Sequence, residues 1–193
     1  MMEPLDLKSR LAKFKSANSQ NITLLEKLFT PITFRKGTLL SSPVHAYPIL
    51  HYIASGLVRG YFLIDNQEHT SWVIENGFLL PLNGKSAHLP YPQYICFMEN
   101  STGFSLNLAK AELIAQTDPQ LNRILIEIYQ EKIYESVLRE SIFRIPEAKK
   151  RMVAFMQHYP TIASKINNEI FASLLHINFK YFSKIKKQYF QSH

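Results

Sequence analysis

Cysteine and long apolar runs are nearly absent from this sequence. Cys96 is the only cysteine among 193 residues, so neither an internal disulfide nor a cysteine-held iron–sulfur cluster is possible. No run approaches the roughly 20 apolar residues of a membrane helix. The acidic start MMEPLDLKSR does not resemble a secretory signal. We therefore expect a protein of the reducing cytoplasm.

The motifs that identify common enzymes are also missing. The sequence has no Walker phosphate loop, no Gly-x-Ser-x-Gly elbow and no His-Glu-x-x-His helix. It has no His-x-His pair, which metal-dependent jelly-roll enzymes need on one strand. We expect no enzyme activity, no catalytic residue and no bound metal.

Positive charge is concentrated near the C-terminal end. The formal net charge is +7, and the segment from Pro146 onward holds eight lysines and arginines against Glu147 and Glu169. The first 145 residues hold fourteen basic and thirteen acidic residues. Because each basic contact with a phosphate releases a condensed counterion, this asymmetry favours binding to double-stranded DNA.

The middle of the chain has the pattern of a β-barrel or jelly roll. Short β-rich runs follow one another from Ile32 to about Leu108, with turn signals such as Asp65-Asn66 between them. Two amphipathic helical pieces, residues 5–14 and 22–29, precede the strands, and Asn18 and Ser19 are candidate caps of the second.

A long helix is predicted after the strands. Asp118 is suited to cap it, Pro119 to begin it, and no further glycine or proline occurs before Ile145. The helix would be about 40 Å long at about 1.5 Å per residue. Glu135 with Arg139, and Glu140 with Arg144, have the spacing of ion pairs on its wet side.

This helix has two apolar stripes. The first, expected to pack on the barrel, consists of Leu121, Ile124, Leu125 and Ile128. The second consists of Ile133, Val137, Leu138 and Ile142, with Tyr134 alongside. We interpret the second stripe as the seam of a homodimer. The alternative is that the C-terminal domain covers it.

Residues 167–188, NNEIFASLLHINFKYFSKIKKQ, read as two short helices joined by a tight corner. A helix-turn-helix needs a small residue, an apolar residue after the corner and apolar anchors in the second helix. These are Ala172, Ile177, Phe182 and Ile185, and the inner side of the first helix would hold Ile170, Leu174 and Leu175. His176 takes the corner, where glycine is usual, at a cost of about 1 kcal/mol. Lys180, Lys184 and Lys187 share an outward stripe.

The order of these parts resembles the bacterial Crp/Fnr transcription regulators, which join a cyclic-nucleotide-binding-like sensor to a DNA-binding domain. The likeness is carried by FRKGTLL (34–40), YIASGLVRGY (52–61), EHTSW (68–72), FMENS (97–101) and ASLLHI (172–177). It implies an α+β protein, with an N-terminal β-roll and flanking helices (1–118), a long dimerisation helix (119–145) and a C-terminal helix-turn-helix domain (146–193).

The resemblance implies a homodimer on double-stranded DNA, with half-sites about 34 Å apart. Asn178 would cap the second helix, base edges would be reached by Lys180, Tyr181 and Lys184, and phosphates would be met by Lys186, Lys187 and Lys165. Phe179 and Ser183 complete this surface. The alternative is a helix-turn-helix that has lost DNA and docks protein, which His176 in the corner, the aromatic FKYF and the few residues left for a β-hairpin wing favour.

The resemblance also bears on the effector. Members that bind cyclic AMP hold its ribose with a Gly-Glu pair and its phosphate with an Arg-Ser/Thr pair. Leu80-Pro81 and Tyr91-Pro92 stand near those places, so we expect cyclic AMP not to bind in the usual way. We expect an apolar pocket for an uncharged metabolite or for none, formed by Trp72, Phe78, Lys85 and Tyr91. No cofactor is expected, since the barrel histidines His45, His51, His69 and His88 lack a recognised haem-ligand spacing.

Overall fold

The α+β class is confirmed. A computed structural model describes residues 6–41, 49–80, 89–91 and 93–191. Its helices are α1 (Leu7–Leu11), α2 (Ser19–Leu28), α3 (Leu108–Ala115), α4 (Pro119–Phe143), α5 (Ala148–His158), α6 (Pro160–Lys165), α7 (Asn168–Leu174) and α8 (Phe179–Gln191). Its strands are β1 (Thr30–Phe34), β2 (Leu39–Ser41), β3 (Ile49–Ser55), β4 (Val58–Ile64), β5 (Gln67–Ile74), β6 (Gly77–Leu79), β7 (Gln93–Phe97) and β8 (Ser101–Asn107).

The strands form two four-stranded sheets that pack face to face. One has the order β1-β8-β3-β6 and the other the order β2-β7-β4-β5, and every pair is antiparallel. The predicted turn at Asp65-Asn66 is the two-residue loop of the β4–β5 hairpin. Both residues have positive φ, 50° and 61°, as a type I′ turn requires.

The sequence pattern missed three of the elements that precede α4. Strands β2 and β6 have three residues each, too few for an alternating pattern to show. Helix α3 begins where the pattern continued a strand through Leu108. The side chain of Asn107 accepts a hydrogen bond from the backbone N of Lys110, and this cap starts a helix there.

Two apolar clusters organise the barrel half. The cluster between the sheets consists of Ile53, Val58, Ile74, Leu79, Ile95 and Phe97. The cluster on the outer side of the first sheet joins Leu50, Tyr52, Phe78 and Leu106 to α1, α2, α3 and the start of α4. It includes Leu121, Ile124, Leu125 and Ile128, so the first stripe of α4 packs on the barrel as predicted.

Helix α4 begins as predicted and ends two residues earlier than predicted. Oδ1 of Asp118 accepts hydrogen bonds from the backbone N of Gln120 and of Leu121, both at 3.0 Å. At the other end, Nη1 of Arg151 donates to the carbonyl of Ile145 at 2.8 Å, which holds α5 against the turn after α4.

One of the two ion pairs predicted on the solvent-exposed side of α4 is present. The pair between Glu140 and Arg144 is present, with Nε of the arginine 2.6 Å from Oε1. Glu135 pairs with Lys132, one turn earlier, rather than with Arg139. Arg139 therefore forms no ion pair with Glu135.

The C-terminal helices share a third cluster with the rest of the chain. It contains Met152, Phe155, Ile162, Phe171, Leu174, Phe182 and Ile185. Ile142 of α4 and the barrel residues Leu57 and Val73 belong to the same cluster. Ile142 is only 3% exposed, so it faces the core of its own chain and does not join the seam proposed for it. The alternative reading is therefore correct for this residue.

His51 lies in the barrel and is 9% exposed. Its ring meets that of Phe34 edge-on, with the centroids 5.9 Å apart. Among the described residues none forms a hydrogen bond with its Nδ1. Burial lowers the pKa of this imidazole to about 4, because an imidazolium there would lose its hydration.

Replacing His51 by leucine should remove a pH-dependent part of the stability. The folded-state pKa lies below the unfolded value of about 6.5, so the unfolded state binds more protons between these values. The unfolding free energy of the wild type should therefore fall, relative to His51→Leu, as the pH drops from about 7 to about 4. The slope should approach about 1.4 kcal/mol per pH unit. Urea unfolding at several pH values measures it.

The exposed His69 offers the matched control, His69→Leu. Parallel stability curves for wild type and His51→Leu would show that burial of His51 has no such effect.

Candidate nucleic-acid interface and adjoining cavity

Helices α7 and α8 form the predicted helix pair. Oδ1 of Asn167 caps α7 by accepting from the backbone N of Ile170 at 2.8 Å. Oδ1 of Asn178 caps α8, as predicted, by accepting from the backbone N of Lys180 at 3.0 Å. Between the helices, the backbone N of Ile177 donates to the carbonyl of Ala172 at 2.9 Å and closes the corner.

His176 occupies the corner in the left-handed conformation, with φ at 53°. Its ring packs edge-on against Phe143, the last residue of α4, with centroids 5.5 Å apart. Partial desolvation and, as a smaller effect, the charge of Arg151 lower the pKa of this imidazole. The neutral ring can therefore pack on an aromatic neighbour, which offsets part of the backbone cost.

The inner side of the helix pair is buried, with one change from the prediction. Leu174, Leu175, Phe182 and Ile185 are all buried, whereas Ile170 is half-buried. Phe171 takes the central place, with its ring centre 5.3 Å from that of Phe155 and 5.0 Å from that of Phe182. It lies three residues before Leu174, a helical spacing that places both on one face.

The outer side of α8 is cationic and exposed. Lys180, Lys184 and Lys187 are exposed, and among the described residues none forms an ion pair with them. The helix itself contains no acidic residue. Phe179 and Tyr181 are 47% and 50% exposed beside these lysines, and Ser183 is half-buried.

Two lysines expected to meet phosphates have partners within the chain. Nζ of Lys186 donates to Oδ1 of Asn168 at 2.8 Å and lies 5.5 Å from the ring centre of Phe171, and burial lowers its pKa. Nζ of Lys165 lies 2.7 Å from Glu75 and 3.6 Å from Glu99, both on the barrel side. Lys186 thus ties α8 to α7, and Lys165 ties the C-terminal helices to the barrel.

Strand β5 connects the barrel to the helix pair. The backbone N of Thr70 donates to Oγ of Ser173 at 2.9 Å, and this hydroxyl donates to the carbonyl of Glu68 at 3.4 Å. Behind them, the buried Arg59 donates to Oγ1 of Thr70 at 2.9 Å and to the carboxylate of Glu68 at 2.5 Å. A continuous polar network therefore runs from β4 through β5 to α7.

A cavity of about 200 Å³ lies where the barrel meets α4. Its lining residues are Trp72, Ile74, Leu79, Leu80, Gln93, Ile95, Lys132, Ser136 and Arg139. Trp72 can form its wall because a Cβ on Gly60, the residue paired with it in β4, would stand 2.2 Å from the indole Cε2.

The predicted pocket residues divide between several places. Trp72 lines the cavity, whereas Phe78 is fully buried in the outer cluster, 5.2 Å from the ring of Tyr52. Phe78 is therefore a core residue, because β6 turns it away from the cavity. Tyr91 is 45% exposed and does not line the cavity. Lys85 lies outside the described residues, as do Pro81, Pro92, His45 and His88.

The described residues contain neither a candidate metal site nor a helix that could span a membrane. No three His, Cys, Asp or Glu side chains there come together so that they could hold a metal ion. Within the same ranges, every helix is too short or too polar to cross a membrane. The thiol of Cys96 is half-buried in β7, and burial raises its pKa, so it is a poor nucleophile at neutral pH.

Solved structures share this fold, although no family model and no curated protein matches the sequence. FixK2 from Bradyrhizobium japonicum is similar with a TM-score of 0.69 at 12% identity, over 85% of each chain. The c-di-GMP-responsive global regulator CLP from Xanthomonas campestris gives 0.65 at 13% identity, over 91% of this chain and 93% of that one. TTHB099, a CRP-family transcriptional regulator from Thermus thermophilus, gives 0.63 at 13% identity, over 83% and 85%. The chain therefore has a Crp/Fnr-like fold, as its motifs predicted.

Replacing Lys186 by alanine should destabilise the protein by about 1 kcal/mol, because a charge-assisted hydrogen bond and a cation–π contact are lost. The adjacent Lys187→Ala should change stability by less than about 0.5 kcal/mol, since that side chain is exposed. Urea unfolding followed by circular dichroism compares the two. Equal stability of the two variants would mean that Lys186 does not hold the helix pair together.

Proposed function

We propose that this protein is a DNA-binding transcription regulator. The observation that carries the proposal is the exposed lysine face of α8, on a helix whose opposite side is locked into the C-terminal core. A cationic helix whose opposite side is buried in its own domain is suited to enter a major groove. The Crp/Fnr-like fold supports this proposal by analogy, since a fold alone does not establish a function.

We assign different roles to the lysines of α8. Lys180, Lys184 and Tyr181 lie in the first two turns, where side chains of a groove-entering helix reach base edges. Lys187 lies one turn further and would meet phosphates, which contribute affinity without reading sequence. Lys184 lacks the planar fork of arginine, so it would discriminate guanine with less geometric precision.

Two alanine variants test this division of roles. Lys184→Ala should reduce the difference between the specific and the non-specific binding free energy by about 1 kcal/mol or more. Lys187→Ala should weaken all sequences similarly and reduce the slope of log K against log salt by about 0.9. Gel shifts on genomic fragments at several salt concentrations measure both, with Lys110→Ala on α3 as an exposed control. Identical behaviour of the two α8 variants would contradict the assigned roles.

We also propose that the protein binds as a homodimer through α4. Ile133, Tyr134 and Val137 are 64%, 66% and 62% exposed along the second half of this helix. Ile133 and Val137 are four residues apart and share a face. A second copy of α4, related by a two-fold axis, would cover this face and present two α8 helices to successive major grooves.

Val137→Glu should convert the dimer to a monomer, because a carboxylate would be desolvated in the middle of the seam. Leu113→Glu on α3, where the leucine is 65% exposed, is the matched control and should leave the dimer intact. Light scattering after size-exclusion chromatography measures the mass. If the wild-type protein is monomeric at high concentration, the proposal of a dimer through α4 is wrong.

The rival proposal is a sensor or protein-interaction module whose helix-turn-helix no longer binds DNA. The exposed aromatic residues Phe179, Tyr181 and Phe190, the last 58% exposed, favour it, since such side chains are enriched in protein interfaces. If the folded wild-type protein gives no gel shift with any genomic fragment at low salt, this alternative is correct.

Three further expectations belong to the proposal. The chain is divided into a sensor domain (1–118), a dimerisation helix (119–145) and a DNA-binding domain (146–193). The protein acts in the cytoplasm and has no catalytic role. Cyclic AMP is not bound in the usual way, since leucine and tyrosine at positions 80 and 91 supply neither a carboxylate nor a guanidinium.

A further inference from the structure

Phe179 is an exposed apolar residue at the start of α8. It is the first residue of this helix and is 47% exposed. Oδ1 of Asn178 accepts hydrogen bonds from the backbone N of Lys180 at 3.0 Å and of Tyr181 at 3.4 Å, so the helix begins at a fixed position. In a helix that enters a major groove, the N-terminal residues contact base edges. Phe179 is therefore placed to contact a base.

The charges around Phe179 favour DNA over an apolar protein surface as its partner. Lys180 and Lys184, one and five residues further along the helix, are exposed, and no ion pair of the described residues includes them. An apolar protein surface that covered Phe179 would also remove these ammonium groups from water, and an unpaired buried charge is costly. Double-stranded DNA offers phosphates to the lysines and apolar methyl groups in the same groove.

The side chains in the first two turns of α8 limit which bases can be read. Residues 179–184 have the sequence FKYFSK. A bidentate contact with adenine needs both ends of an Asn or Gln amide, and a contact with the cytosine amine needs Asp or Glu. None of these four residue types occurs in this segment, and the amide oxygen of Asn178 already caps the helix. Because a phenylalanine side chain has neither a donor nor an acceptor, the feature that Phe179 can recognise is the C5-methyl group of thymine.

We propose that Phe179 is a specificity-determining residue that reads the methyl group of a thymine in the major groove of the binding site. The inference deepens the proposed function and rests on it. The methyl group would be buried against the phenyl ring, close to the bases that Lys180 and Lys184 contact. This contact involves no phosphate, so it contributes sequence preference without salt dependence.

Replacing thymine by uracil in the DNA tests the contact directly, because uracil lacks only the C5-methyl group. The full-length protein selects duplexes from a random oligonucleotide pool, and the tightest duplex is resynthesised with each thymine in turn replaced by deoxyuridine. For at least one thymine, the wild type should bind the uracil duplex about threefold to fivefold more weakly, which is the effect of one buried methyl group. Phe179→Ala should bind these two duplexes equally well.

The same helix offers a matched control. Phe190 is 58% exposed and lies three turns after Phe179, so Phe190→Ala should keep the discrimination between thymine and uracil. Phe179→Leu retains an apolar side chain and should keep part of it. The slope of log K against log salt should be the same for Phe179→Ala and the wild type, since no phosphate contact is lost.

Equal affinity of the wild type for the thymine and uracil duplexes at every position would overturn the inference, as would discrimination that persists in Phe179→Ala. Both results leave the proposed function intact. If the wild type binds no duplex of the pool at low salt, the proposed function is wrong and this inference with it. Circular dichroism verifies that each variant is folded, and if Phe179→Ala is not, the uracil scans of the wild type and of Phe179→Leu decide.

Discussion

The apolar cluster of the C-terminal half is the constraint on which the remaining structure depends. It draws on three parts of the chain: Phe171 and Phe182 from the helix pair, Ile142 from α4, and Val73 from the barrel. Burying these side chains together determines which side of α8 faces outward, since the hydrophobic effect leaves the lysine side in water. The cationic face is therefore a consequence of packing as much as of charge. It would be lost if the cluster opened.

Strand β5 belongs to both halves of the molecule. Trp72 and Ile74 line the cavity, while Val73 between them enters the C-terminal cluster, because successive residues of a strand point to opposite faces. Thr70, on the same strand, accepts a hydrogen bond from Arg59 at its side chain and donates one to Ser173 from its backbone N. A change in the position of this strand would thus reach the cavity and the helix pair together. Strand β5 is therefore the physical connection between the barrel and the helix pair.

Local signals in the sequence predicted the elements well. The spacing of Ala172, Ile177 and Phe182, the caps at Asp118 and Asn178, and the turn at Asp65-Asn66 each depend on residues within a few positions of one another. Burial partners were harder to predict, since they depend on distant segments. Phe78 was assigned to a pocket and lies in the core, and Ile142 was assigned to a dimer seam and lies in the chain's own core. Both are apolar residues, for which a pattern indicates burial without naming the partner.

The sequence by itself determined the α+β class, the long helix and the outward lysine stripe, because periodicity and capping act over one or two helical turns. Only the tertiary structure decided which charges are free to act. The sequence does not distinguish Lys165 and Lys186 from the exposed lysines. In the structure Lys165 pairs with Glu75 and Glu99, and Lys186 donates a hydrogen bond to Asn168. Arg139, by contrast, was expected to pair with Glu135 and is left facing a cavity. The physical reason is that a charge is neutralised by the groups that folding brings near it, and Glu75, for example, lies 90 positions from Lys165 in the chain.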